Sequence, residues 1–125
     1  MYKRQTDAYV QFEVDEVTTA AASLAIQGQA ADRPATFSSS TGDISSRLRT
    51  TASVGWVPPP WPTVQVHGPG QRTPDISSIV REIVARPGWS AGNALVVIIT
   101  GTGKRTAEAF DGTFAPVMHV TYRTA

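Results

Sequence analysis

Cysteine is absent from the 125 residues of the chain, so neither a disulfide framework nor a thiolate metal site is available to it. A disulfide-free chain suits the cytosol and the bacterial exterior equally, which leaves the compartment open. Charge of one sign is lacking too, with Lys+Arg at 11 against Asp+Glu at 10. No basic field exists that could neutralise phosphates, and nucleic acid is not an expected partner. Long apolar runs are also missing. The longest, Ala94 to Ile99, is far short of the roughly 20 residues that a membrane-spanning helix needs. The histidines are only His67 and His119, neither with a second ligand at helical or hairpin spacing, so zinc is not expected.

What is present suits one domain, since 41% of the residues are hydrophobic, enough for a single sizeable core. The first five residues, "MYKRQ", resemble the translated end of a transposon-type sequencing adapter, a segment to be set aside in fold reasoning. The domain is then expected over residues 6–125. Without Lys3 and Arg4 the charge count becomes 9 against 10, net −1.

Strand signals dominate. "AYVQFEV" (8–14) alternates Ala8, Val10, Phe12 and Val14 with Tyr9, Gln11 and Glu13, the period of a half-buried strand. "SLAIQG" (23–28) repeats the pattern, "ATFSSSTGDISSRLRT" (35–50) offers short strand-like pieces around a turn at 38–43, and "ASVGWV" (52–57) is a further strand. Pro58, Pro59 and Pro60 stop that strand, because proline donates nothing to a ladder. "NALVVIIT" (93–100) is almost continuously apolar and reads as a central strand covered on both faces. "PVMHVTY" (116–122) closes the set. One helix is expected over about 75–86, where Ile76, Ile79, Val80, Ile83 and Val84 form one apolar stripe. Pro74 suits its first turn, Thr73 or Asp75 its cap, and Pro87-Gly88 its end.

Two motifs have a catalytic look. "GWSAG" (88–92) fits G-x-S-x-G, and Ser90, Asp111 and His119 follow the serine, acid, histidine order of α/β-hydrolases. A nucleophile elbow, however, needs a strand entering and a helix leaving, and here a helix precedes and a strand follows. The mechanical reading is a helix-ending turn in which Gly88 and Gly92 supply positive φ. "GTGK" (101–104) ends like a P-loop, but Ile98 stands where that motif requires glycine and Arg105 where it requires Ser or Thr. A β-turn carrying one lysine accounts for it. No catalytic residues are expected.

Binding candidates remain. Asp15, Glu16, Asp43 and Asp111 lie at strand ends, where oxygen ligands suit a structural calcium, with Asp15, Glu16 and Asp111 the favoured set; turn-forming or solvated carboxylates are the alternative. Eight of the nine basic residues after Gln5 are arginine. Arg47 and Arg49 share one face of an expected strand, where they would form a hydrogen-bonding rail for polyol or uronate groups, with an ordinary solvated face as the alternative. Trp56 shares a face with Val54 and is expected in the core. The three prolines then direct the chain out stiffly, leaving Trp61 and Trp89 as the stacking platforms for a sugar ring.

With these elements placed, "AYVQFEVDE", "TTASVGWVPPPW", the stretch "TPDISSIVREIVARPGWSAGNALVVIITGTGKRTAEAF" and the closing "APVMHVTY" resemble a family of β-sandwich accessory domains of large secreted bacterial proteins, related to DNRLRE-type carbohydrate-binding modules. The likeness covers nearly the whole chain after Thr6, and its motifs are scaffold motifs. It implies an all-β, jelly-roll-like antiparallel β-sandwich with one short covering helix, an extracellular or cell-surface location, binding of polysaccharide or cell-surface glycan, and calcium in some members. It also implies that N-terminal strands are missing, making residues 6–125 a partial domain with an exposed sheet edge. The functional expectation is a non-catalytic carbohydrate-binding or adhesion module of a larger secreted protein. The competing classes are a structural spacer that contacts other domains of the parent chain, and a small serine hydrolase resting on Ser90.

Overall fold

The computed structural model describes residues 3–112 and 114–124. In chain order its strands are β1 (Lys3–Gln11), β2 (Val14–Glu16), β3 (Ser23–Gly28), β4 (Val54–Trp56), β5 (Val97–Thr102), β6 (Thr106–Ala107) and β7 (Val117–Thr124), with one helix, α1 (Ser77–Val84), between β4 and β5. All strand pairs are antiparallel: β1 with β7, β2 with β6, and β3 flanked by β4 and β5. The described residues thus form an all-β, sandwich-like fold with a single short helix. No helix among them is long and apolar enough to cross a membrane.

Alternation decides the registers. Ala8 and Val10 face the core from β1 and lie opposite Val120 and Met118 of β7. In the three-stranded sheet Leu24 opposes Trp56, and Ile26 lies between Val54 and Ile99. Lys3 to Gln5 belong to β1 and pair with residues 122–124.

The helix joins these pieces. Its stripe is buried completely at Ile76, Ile79 and Ile83 and nearly so at Val80, and burying such a side chain contributes about 1.5–3 kcal/mol. The stripe lies on β1 and β3. At Gly28 the approach is so close that a Cβ would stand 2.6 Å from Ile83 Cδ1 and 2.9 Å from Ile79 Cγ2. The helix starts later than the 75–86 expected, with Ile76 at the N-cap position. The reason is Asp75, whose Oδ1 accepts the Ser77 amide at 2.9 Å and the Ala8 amide at 3.0 Å while Oδ2 accepts the Ser77 hydroxyl. This carboxylate accepts the amide of the first helical residue and at the same time ties the helix start to β1. At the far end Arg86 N donates to Ile83 O, and Pro87 follows.

Three expectations need correction. Gln11 and Glu13, placed on an open face by their alternation, are each 5% exposed, because residues 67–72 fold over them. Phe12 N donates to Gln71 O, Gln11 Nε2 to Gly68 O, and Arg72 Nε to Gln11 Oε1. Residues 35–50 form turns and one isolated bridge, Gln29 with Arg49, and contribute no strand. "NALVVIIT" does not make a central strand. β5 begins only at Val97 and lies at the edge of its sheet, where Ile98 is buried and Ile99 is 36% exposed. Leu95 and Val97 pack against the core from this edge, which a periodicity argument does not distinguish from burial between strands.

Gly28→Val is expected to lower stability by about 1–3 kcal/mol, read from urea unfolding monitored by circular dichroism. Burial pushes the Asp75 carboxyl up, but the amides of Ser77 and Ala8, the Ser77 hydroxyl and the Arg81 charge together outweigh it and hold its pKa below the usual carboxylate value. A depressed folded-state pKa gives stability that is present above the unfolded value and disappears as pH falls through the folded one. Asp75→Ala should therefore cost about 1 kcal/mol at neutral pH, and the gap to the parent protein should close in titrations taken below about pH 4.

Candidate functional site

Two clefts open beside β5 and share Ile99. The first lies between the outer edge of β5 and the loop at 38–45, has a volume of about 380 Å³, and presents Ser39, Ser40, Ser45, Asp43 and Arg49 around Ile98 and Ile99. The loop is built from short-range bonds that serine, glycine and aspartate supply readily. Ser38 N donates to Asp43 Oδ2 at 3.1 Å, Ser40 N to Ser38 Oγ at 3.3 Å, and Ser46 N to Gly42 O at 2.9 Å, with Gly42 at φ +75°. The Ser38 amide, aided by the Ser38 hydroxyl and the Arg47 guanidinium, holds the Asp43 carboxyl below its ordinary value against a smaller effect of burial.

Arg47 fastens this loop from inside. Its guanidinium donates to Gln29 Oε1 and Ala35 O at 2.8 Å each and to Thr36 O, pairs with Asp43 at 3.3 Å, and lies 4.7 Å over the Phe37 ring. The expected rail of Arg47 and Arg49 is therefore not formed: the segment is turned, one guanidinium points inward, and only Arg49 reaches a cleft. No described residue bonds to the Arg49 guanidinium or to the hydroxyls of Ser39 and Ser45.

The second cleft, of about 350 Å³, is lined by Phe12, Leu24, Trp56, Trp61, Ile99 and Ala107, with Lys104 and Arg105 at one side. Phe12 and Trp56 stack at 6.1 Å between centroids. The cations come from the "GTGK" turn, whose Gly101 and Gly103 have φ of +139° and +94°. A Cβ at either would collide with the backbone of residues 21–24. Glycine here allows the turn between β5 and β6 to pack closely on residues 21–24.

The tryptophans divide differently from the sequence expectation. Trp56 is 6% exposed and Trp61 only 1%. Trp61 bridges to Thr18 through both backbone groups and donates its indole N–H to Gly70 O at 2.8 Å, so it is a core residue and not an open platform. The prolines explain this. The chain turned by Pro58 to Pro60 is caught by Arg105, which donates to Pro58 O at 3.1 Å and Pro59 O at 3.0 Å, and it returns inward at Trp61. Trp89 is half-buried against the core, its indole donating to Ala94 O.

The remaining candidates stay apart. Asp15 and Glu16 are exposed on β2, Asp111 lies in the turn at 109–112, and among the described residues no group of three His, Cys, Asp or Glu side chains is placed to hold a metal. Ser90 sits in the turn after α1, and His119 stacks on Tyr9 at 4.8 Å; neither is bonded to the other or to Asp111. Gly92 has positive φ, +93°. Gly88 does not, and is needed because a side chain there would collide with the Asp32 carboxylate, which pairs with Arg86 at 2.7 Å. The serine-lined cleft escaped the sequence reading except for Arg49. The available signal was the run "SSSTGDISS" (38–46), a density of hydroxyls greater than one turn requires.

Arg47→Lys, which keeps the charge but loses the planar fork, is expected to loosen residues 35–47 while leaving the core intact. Limited proteolysis should then cut within that loop several times faster, and amide exchange in α1 should be unchanged. Comparison of the chain with protein-family models, curated proteins and solved structures gave no match.

Proposed function

We propose that this chain is a non-catalytic carbohydrate-binding or adhesion module, part of a larger secreted bacterial protein, and that it takes a polysaccharide or cell-surface glycan in the serine-lined cleft. The observation that carries the reading is that the Arg49 side chain, bonded by no described residue, shares one cleft with Ser38, Ser39, Ser40 and Ser45 beside Ile98 and Ile99 of β5. A sugar ring has C–H faces suited to such an apolar floor and edge hydroxyls suited to serine and arginine donors. The fork of Arg49 also favours a uronate carboxylate, which it can hold through two parallel bonds. The cleft volume lies in the range of small-molecule sites. Trp89 remains outside this cleft, and Trp61 and Arg47 support the fold.

A second reading, a spacer that packs on other domains of its parent chain, is favoured by the exposed Val120 and Tyr122, which share one face of β7. Such a patch suits protein contact better than solvent.

The test is retardation of the full chain in gels containing neutral and uronate-bearing polysaccharides, together with a glycan array. Binding is expected, and Arg49→Ala should weaken it about tenfold, about 1.4 kcal/mol, with thermal unfolding unchanged because the guanidinium bonds to no described residue. Absence of retention on every glycan, or retention indifferent to Arg49→Ala, would overturn the assignment and favour the spacer.

A further inference from the structure

The second cleft has a chemistry of its own. Its walls are carbon: Phe12, Leu24 and Ala107 are half-buried, Ile99 is exposed, and the two indoles close the floor. At its side two consecutive cations stand without a carboxylate partner among the described residues. Arg105 is fully occupied, donating to the carbonyls of Ala20, Pro58, Pro59 and Lys104. Those bonds fix its position but leave its charge unneutralised, since a carbonyl is a dipole and not a counter-ion. Lys104 is exposed, and its ammonium has no partner among the described residues.

We propose that this cleft binds a small amphiphile with an aromatic or compact apolar body and one carboxylate, the body against Phe12, Leu24 and Trp56 and the carboxylate paired with Lys104 in the field of Arg105. Charge complementarity selects the occupant. A neutral apolar molecule would use the walls and leave both charges uncompensated; a neutral sugar would also leave both charges uncompensated and would set its hydroxyls against carbon; an apolar acid satisfies both. The volume of about 350 Å³ accommodates a body of one or two rings, and lies in the range where ligand sites are found. Arg105 has the positioning role: it holds the "GTGK" turn against the proline corner, so that Lys104 is presented beside the apolar wall. The inference does not depend on the glycan reading, which concerns the other side of Ile99.

The test uses the full chain labelled with nitrogen-15 and two probes of one shape, naphthalene-2-carboxylate and its neutral carboxamide. The indole N–H resonances of Trp56, Trp61 and Trp89 report locally, with Trp89 identified by Trp89→Phe. Naphthalene-2-carboxylate should shift the Trp56 and Trp61 signals saturably and leave Trp89 in place. The carboxamide should bind at least tenfold more weakly, and Lys104→Glu should abolish the advantage of the carboxylate. Because the Lys104 ammonium bonds to no described residue and its carbonyl is kept in the variant, unchanged thermal unfolding of that variant is expected, and rising salt should narrow the difference between the probes. No saturable shift with either probe, equal affinity for the two, or a carboxylate advantage surviving in Lys104→Glu would each overturn the proposal.

Discussion

The packing of one helical stripe against the backbone of β3 at Gly28 is the constraint on which the other elements depend. A two-stranded sheet is marginal in water and so is an isolated helix of eight residues, and this fold consists of two such sheets, one sheet of three short strands, and one such helix. None has a core by itself. Ile76, Ile79, Val80 and Ile83 provide a common one, with Ala8 and Val10 on one side and Ile26 on the other. The absence of a side chain at residue 28 allows the helix to sit low enough for these residues to meet, and Asp75 orients the helix by taking one amide from β1 and one from its own first turn.

Arginine supplies the cross-links that disulfides provide elsewhere. Arg81 joins α1 to Gln5 O, Arg86 joins the helix end to Asp32, Arg47 closes the serine loop, and Arg105 binds the turn between β5 and β6 to the proline corner. Most of these bonds end on backbone carbonyls, so they hold loops that carry no regular ladder. Glu82 does the converse, accepting the amides of Thr51 and Ala52 at 2.8 Å each. Against this background Arg49 and Lys104 differ in kind: each is a cation beside a cleft that no described residue engages. The two candidate sites follow from that contrast, one facing hydroxyls and the other facing rings.

The serine-lined cleft exists because β5 is an edge strand. Its partner on one side is β3, and the 38–45 loop stands beside Ile98 and Ile99. The second cleft lies over a face of the three-stranded sheet, where Leu24 of β3, its cross-strand partner Trp56 of β4 and Ile99 of β5 share one side. The exposed Ile99 is the hinge of this arrangement in a geometric sense, since it forms part of both walls.

Local pattern was enough to identify the strands "SLAIQG" and "VGW", the closing strand, the helical stripe and the burial of Trp56, because each rests on periodicity or on a proline that permits only one continuation. By the same local reading the sequence has neither the strand-turn-helix order of a nucleophile elbow nor the full residue pattern of a P-loop. Other features were beyond its reach: that Trp61 turns inward, that Arg47 is a staple while Arg49 two residues later is not, that Gln11 and Glu13 are covered, and that the most apolar segment lies at an edge. Each depends on which distant residues arrive to share a space, on Thr18 and Gly70 for Trp61, on Gln29 and Ala35 for Arg47, on residues 67–72 for Gln11. Periodicity records which faces of a segment differ; only the assembled chain decides what each face meets.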